Sequence, residues 1–202
     1  MKLYFSPGAC SLSPHIILQE SGLPFTTDKV DLRNKQTASG ADYLSINPKG
    51  YVPALETDEG LLLTEGPAIV QYLADKVPEK NLAPANGTME RYQVMSWLTF
   101  IGTEIHKNYS FLFNPAASDE AKDNAKQILT KRYAHVEQML ADREYLVGTQ
   151  FSVADCYLFV VTNWAGLLKF DLSAYPNVAA FQQRIAVRPA VQQALKAEGL
   201  LD

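Results

Sequence analysis

The sequence has two cysteines among its 202 residues, Cys10 and Cys156, and three histidines. Two thiols in a chain of this length build no disulfide framework and are read as reduced, so a thiol that matters here acts as a thiol. Runs of lysine or arginine are also missing. With a net charge of −4, that removes the footprint expected of a nucleic-acid binder or of a protein drawn to an anionic membrane. No apolar stretch approaches the length of a membrane span. The N-terminus passes from Met1 directly into the strand-like KLYF, without the charged region, apolar run and cleavage site of an export signal. The expected location is therefore the cytoplasm, with neither nucleic acid nor membrane as partner. Internal repeats and low-complexity tracts are lacking too, which excludes solenoid architectures, and no metal site is expected.

What is present is an ordinary globular composition, 47% apolar and 20% charged, in a chain long enough for one large domain or two small ones. The character changes near residue 80. Before it come KLYF, a helix from about Cys10 to Gly22, FTTDKVD, a polar loop through Lys35 to Gly40, PALET, the turn DEG, LLLT and a helix from about Glu65 to Val77. This order is βαβ followed by ββα. The first two strands, separated by a helix, should be parallel, and the last two, joined by a tight turn, antiparallel. Residues 88–202 read as helices joined by short turns. The fold class is thus α/β plus all-α: a domain at 1–80, a linker at 81–87 and a helical domain at 88–202.

Four stretches carry chemistry. In SPGACSLS, Cys10 stands where a helix is expected to begin, and backbone N–H groups there favour a thiolate. Ser13 stands where a dithiol oxidoreductase would have its second cysteine, so such a site needs an external thiol. Packing of the first turn is the competing reading of Cys10, and Cys156, inside an apolar helix, is read as core. In NPKGYVPALE, Val52 and Pro53 sit at a strand entrance. In LLLTEGPAIVQYL, Glu65 and Gly66 open a helix with Pro67 near its first position, able to hold the carboxylate and ammonium of an α-amino acid end or simply to start the helix. In FSVADCYLF, Ser152 reads as an N-cap, with Asp155 returning the hydrogen bond and Phe151 as a staple, which is folding chemistry. His106, in TEIHKNY, reads from its own residues as a surface helical histidine; His15 and His135 read as solvated or satisfied helix residues. Tyr4 and Phe5 suit the strand core as well as a pocket edge.

Together SPGACSLS, NPKGYVPAL, LTEGPAIVQYLAD and FSVADCYLF resemble the bacterial glutathione S-transferases of the beta class, which have cysteine at the catalytic position. The resemblance covers essentially the whole chain and implies a thioredoxin-like first domain, a C-terminal helical bundle lining the electrophile site, and a homodimer. It implies glutathione as cosubstrate, a cis bond before Pro53, and pairing of the Val52 backbone with the cysteinyl unit of glutathione. Cys10 is implied beside the glutathione sulfur, Lys35 at the glycyl carboxylate, and Glu65 and Gly66 at the γ-glutamyl end. Many relatives have a hydroxyl residue where Gly66 stands, so one side-chain contact is missing here. In the helical domain SWLTFIGTEIHKNY matches the border of the site. There His106 is implied beside the reacting sulfur, with Thr99, Thr103, Glu104 and Lys107 as glutathione-binding positions. Relatives often have Asn where Thr99 stands.

The expected activity is conjugation of glutathione to small apolar electrophiles, a detoxifying reaction. A glutaredoxin-like thiol transferase or reductive dehalogenase working through a Cys10 mixed disulfide is the alternative. A noncatalytic binding protein of the same fold is the third class.

Overall fold

The computed structural model describes residues 1–201 and divides into two compact units, one formed by residues 1–83 with 187–201 and the other by residues 84–186. The first unit opens with β1 (Lys2–Phe5), α1 (Leu12–Ser21), β2 (Thr26–Asp31), β3 (Gln36–Thr37) and α2 (Tyr43–Ile46). It continues through β4 (Ala54–Glu56), β5 (Leu62–Thr64), α3 (Gly66–Asp75) and a 3₁₀ turn at Pro78–Lys80. The strands form a mixed sheet in the order β3-β2-β1-β4-β5. β1 runs parallel to β2 with Lys2 opposite Thr26, and antiparallel to β4 with Leu3 opposite Leu55. β4 and β5 pair antiparallel across the DEG turn, as their short spacing predicts.

The central strand β1 buries Leu3, Tyr4 and Phe5 in succession, whereas β2 buries only alternate residues, Asp28 and Val30. A strand covered on both faces reads as a continuous apolar run, and one with a wet face alternates. Tyr4 and Phe5 are therefore core residues; the Tyr4 hydroxyl donates to Glu56 Oε2 at 3.1 Å, and burial pushes it up to about 12.

The polar loop expected through Lys35 to Gly40 contains β3, and α2 follows it. Both elements are short, and α2 is capped by Asp42, whose carboxylate accepts from Leu44 N–H at 3.0 Å. The last segment also differs from expectation. Residues 187–201, read as part of the helical domain, belong to the first unit, where α9 (Pro189–Ala197) packs on α1. The cause is a buried polar link: Glu198 Oε1 lies 2.8 Å from His15 Nδ1, and Glu198 Oε2 accepts from Gly8 N–H at 2.9 Å. His15 is thus a satisfied core histidine, set between the rings of Phe5 and Phe25.

The second unit holds α4 (Met89–Phe100), a π-helical segment (Ile101–His106), α5 (Lys107–Phe113), α6 (Asp119–Met139), α7 (Val153–Leu167) and α8 (Pro176–Ala186). α6 is amphipathic, burying Ala125, Leu129, Tyr133 and Val136 at helical spacing. α7 is buried on nearly every side, including Cys156, which is core as expected. Its start is built as FSVADCYLF predicts. The Asp155 carboxylate accepts from Ser152 N–H (2.8 Å), Ser152 Oγ (2.7 Å) and, from the preceding loop, Leu146 N–H (2.8 Å). His135 stacks on Trp97. Among the described residues no helix is long and apolar enough to cross a membrane.

Candidate functional site

The loop between β1 and α1 carries Cys10. Gly8 turns it with a φ of +71°, a conformation that favours glycine, and the Ser11 hydroxyl ties it back by donating to Ser6 O at 3.2 Å and accepting from Ser6 N–H at 3.1 Å. The helix begins only at Leu12 with Ser11 as its cap, so Cys10 precedes the helix rather than starting it. Its Sγ–H donates to the carbonyl oxygen of Val52 at 3.3 Å.

This geometry reverses the expected thiolate. Burial pushes the Cys10 thiol up to about 12, Glu65 adds to the rise, and the backbone donors of Cys10 and Ser11 offset only part of it. The hydrogen bond agrees, because a carbonyl oxygen accepts from a protonated thiol and repels a thiolate. Desolvation outweighs the helix terminus and shifts the thiol toward its protonated form.

Val52 and Pro53 enter β4 through a cis peptide bond, in line with the resemblance. The loop before them is held from several sides. Asn47 Nδ2 donates to Tyr51 O at 2.8 Å, and the buried Tyr43 hydroxyl donates to the same oxygen at 3.0 Å. Lys35 Nζ reaches across to Gly50 O at 2.6 Å. Gly50 has φ +70°, and a Cβ there would lie 3.0 Å from Leu44 Cδ2 and 3.6 Å from Lys35 Cε and Nζ. Glycine therefore serves both the turn and the close approach of the Leu44 side chain, with Lys35 at ordinary contact distance.

Glu65 has φ +70° and ψ +111°, uncommon for a residue with a side chain and characteristic of positions over-determined by a site. Its Oε1 accepts from Lys49 Nζ at 2.6 Å and from Tyr51 OH at 2.9 Å. That hydrogen bond is the leading cause that raises both Lys49 and Tyr51 above their ordinary values. Lys49 and Tyr51 were not singled out in the sequence, because 16 and 14 residues separate them from Glu65 and no periodicity links them. Gly66 opens α3, and a Cβ there would lie 3.7 Å from Pro53 Cγ, an ordinary contact. Within the first unit, the structure thus joins Cys10 to Val52, sets Gly66 beside Pro53, and attaches Lys35 and Glu65 to the Asn47–Tyr51 loop.

In the second unit the remaining candidates cluster around the π-helical segment, a feature frequent at functional sites. The Thr99 hydroxyl donates to Met95 O at 2.9 Å and that of Thr103 to Thr99 O at 3.0 Å, one turn back along the helix. Glu104 accepts from Arg132 Nε at 2.7 Å. His106 Nδ1 lies 2.6 Å from Tyr157 OH, and its ring meets Trp164 edge-on at 4.8 Å. Arg132, Tyr157 and Trp164 are partners that the sequence pattern did not mark. Lys107 is exposed at the start of α5. Among the described residues no group of three or more His, Cys, Asp or Glu side chains is placed to hold a metal ion.

Residues 8–76 match the glutathione S-transferase N-terminal domain family, and residues 100–189 match the C-terminal domain family. The chain belongs to the glutathione S-transferase family. This transferase is 48% identical to glutathione S-transferase GstA of Escherichia coli O157:H7, over 99% of this chain and all of the relative. It is similar to a sphingomonad glutathione S-transferase solved in complex with glutathione (50% identity, TM-score 0.96, 99% of this chain and 100% of that one). The bacterial beta-class glutathione S-transferase of Sphingomonas chungbukensis is equally near (50% identity, TM-score 0.97, 100% of both chains). The glutathione S-transferase fold, a thioredoxin-like first domain with a mixed sheet and a helical C-terminal domain, is therefore that of a beta-class transferase.

Proposed function

We propose that the transferase binds glutathione through Cys10, Lys35, Val52, Pro53, Glu65 and Gly66 and joins its sulfur to small apolar electrophiles. One observation carries this reading: the neutral Cys10 thiol lies 3.3 Å from the Val52 carbonyl, the backbone position that the family resemblance assigns to the cysteinyl unit. When the cysteinyl N–H takes that carbonyl, the Cys10 S–H is released to donate to the glutathione sulfur. The glutathione thiol loses its proton to solvent, the donor at that point stabilises the resulting sulfur anion, and the anion attacks the electrophilic carbon; the C–S bond forms as the bond to the leaving group breaks. Lys35 supplies the cation for the glycyl carboxylate, and Glu65 with the N–H groups opening α3 takes the γ-glutamyl ammonium and carboxylate.

The roles of His106, Thr99, Thr103, Glu104 and Lys107 rest on the family resemblance. Within the second unit, the buried Trp164 packs against His106 (4.8 Å) and Phe113 (5.5 Å) and holds the His106 ring in place. A homodimer is part of the proposal, supported by exposed Met89, Tyr92 and Met95 along α4; sedimentation would report it as a doubled mass. Two cysteines that form no disulfide suit the reducing cytoplasm, and detoxification of electrophiles is the corresponding role.

The direct test is titration of the native protein with glutathione, followed by its conjugation to 1-chloro-2,4-dinitrobenzene. Saturable binding and enzyme-dependent product are expected. Absence of both would overturn the reading.

A further inference from the structure

The Glu65 carboxylate already holds an ammonium, that of Lys49. Besides its 2.6 Å bond to Glu65 Oε1, Lys49 Nζ donates to Thr64 Oγ1 at 3.0 Å and lies 6.0 Å from the centre of the Tyr51 ring. A lysine on a surface usually keeps its head group in water. This one is about half exposed but also meets two acceptors next to an aromatic face, and the loop that presents it is held in turn by Asn47 and Tyr43. The ligand reading above gives Glu65 a second cation, the γ-glutamyl ammonium, with the same charge and the same donor chemistry.

We propose that Lys49 is an internal competitor for the γ-glutamyl ammonium, occupying Glu65 in the free protein and yielding it when glutathione binds. The inference rests on the proposed glutathione site. Lys49 is then a specificity-determining residue. It keeps Glu65 oriented and paired while the site is vacant, and it sets a threshold that a ligand must pass by bringing an ammonium of its own. Both groups of the pair are about half exposed, so the competition is weak, and displacement alters affinity by a small factor rather than abolishing it.

The test compares glutathione with its deaminated analogue, glutaryl-cysteinyl-glycine, by calorimetric titration of the native protein, Lys49→Met and Lys49→Arg. Only glutathione competes for Glu65. Removal of Lys49 should therefore raise the preference for glutathione over the analogue by about two- to fivefold, while Lys49→Arg retains the native ratio. The analogue carries one more negative charge than glutathione, so the general loss of positive charge also raises the ratio. The same Lys49→Met change made in Glu65→Gln measures that general effect, which is subtracted before the ratios are compared, and thermal unfolding checks that each variant is folded. An unchanged or reduced ratio in folded Lys49→Met would overturn the inference, including the case in which both ligands weaken equally because Lys49 holds a ligand carboxylate. Failure of the native protein to bind glutathione at all would instead overturn the underlying site assignment.

Discussion

Cys10 and Val52 are 42 residues apart in sequence and joined by a hydrogen bond from thiol to carbonyl of 3.3 Å. The sulfur is a donor in the free protein, and burial pushes its pKa up to about 12. Because the reactive form is the thiolate, the sign is fixed. Across pH 7 to 9 the thiolate fraction, and with it the rate of Cys10 alkylation by iodoacetamide, should climb about tenfold per pH unit without levelling. Mass spectrometry of Cys10 as a function of time gives the rate. A plateau below pH 8 would show an ionised thiol and contradict the assignment.

Much of the fold could be read from patterns with a local cause. The DEG turn between PALET and LLLT specified the β4–β5 hairpin, and Ser152 with Asp155 specified the start of α7. β3 and α2 were hidden because QT and YLSI are too short to show a period; their placement depends on burial of Tyr43, a tertiary effect. The site was legible as a set of motifs, and its electrostatics were not. A helix-terminus argument for Cys10 uses neighbours in sequence, whereas desolvation and the Val52 carbonyl come from the folded chain. Lys49 and the tie between Glu198 and the Cys10 loop escaped for the same reason.

The family resemblance implies a hydroxyl residue where Gly66 stands, at the proposed γ-glutamyl end, and there is room for one. The nearest atom to an added Cβ is Pro53 Cγ at 3.7 Å. Gly66→Ser should therefore fold normally and add a hydroxyl contact, tightening glutathione binding by about two- to tenfold, the range for one neutral hydrogen bond. Titration calorimetry decides it; unchanged or weaker binding would mean that the hydroxyl does not face the ligand.

Two buried carboxylates hold the chain where no catalysis is assigned to them. Asp155 satisfies Ser152 and the Leu146 N–H, and Glu198 satisfies His15 and the Gly8 N–H next to the Cys10 loop. Replacing either by alanine leaves buried donors without their acceptor, at a cost of about 2–5 kcal/mol. Urea denaturation should show the midpoint lowered for both Asp155→Ala and Glu198→Ala. A native unfolding curve for either would remove that residue from the account.

The central claim is that glutathione sulfur does the chemistry while Cys10 assists it as a neutral hydrogen-bond donor. The rate of conjugation to 1-chloro-2,4-dinitrobenzene, measured side by side for the native protein and Cys10→Ala from pH 6 to 9, tests it most directly. The account predicts that the variant still conjugates, with kcat lower by about two- to tenfold, the worth of one weak hydrogen bond. Complete loss of conjugation in a variant that is folded and binds glutathione would contradict it and make the Cys10 sulfur itself the reacting group.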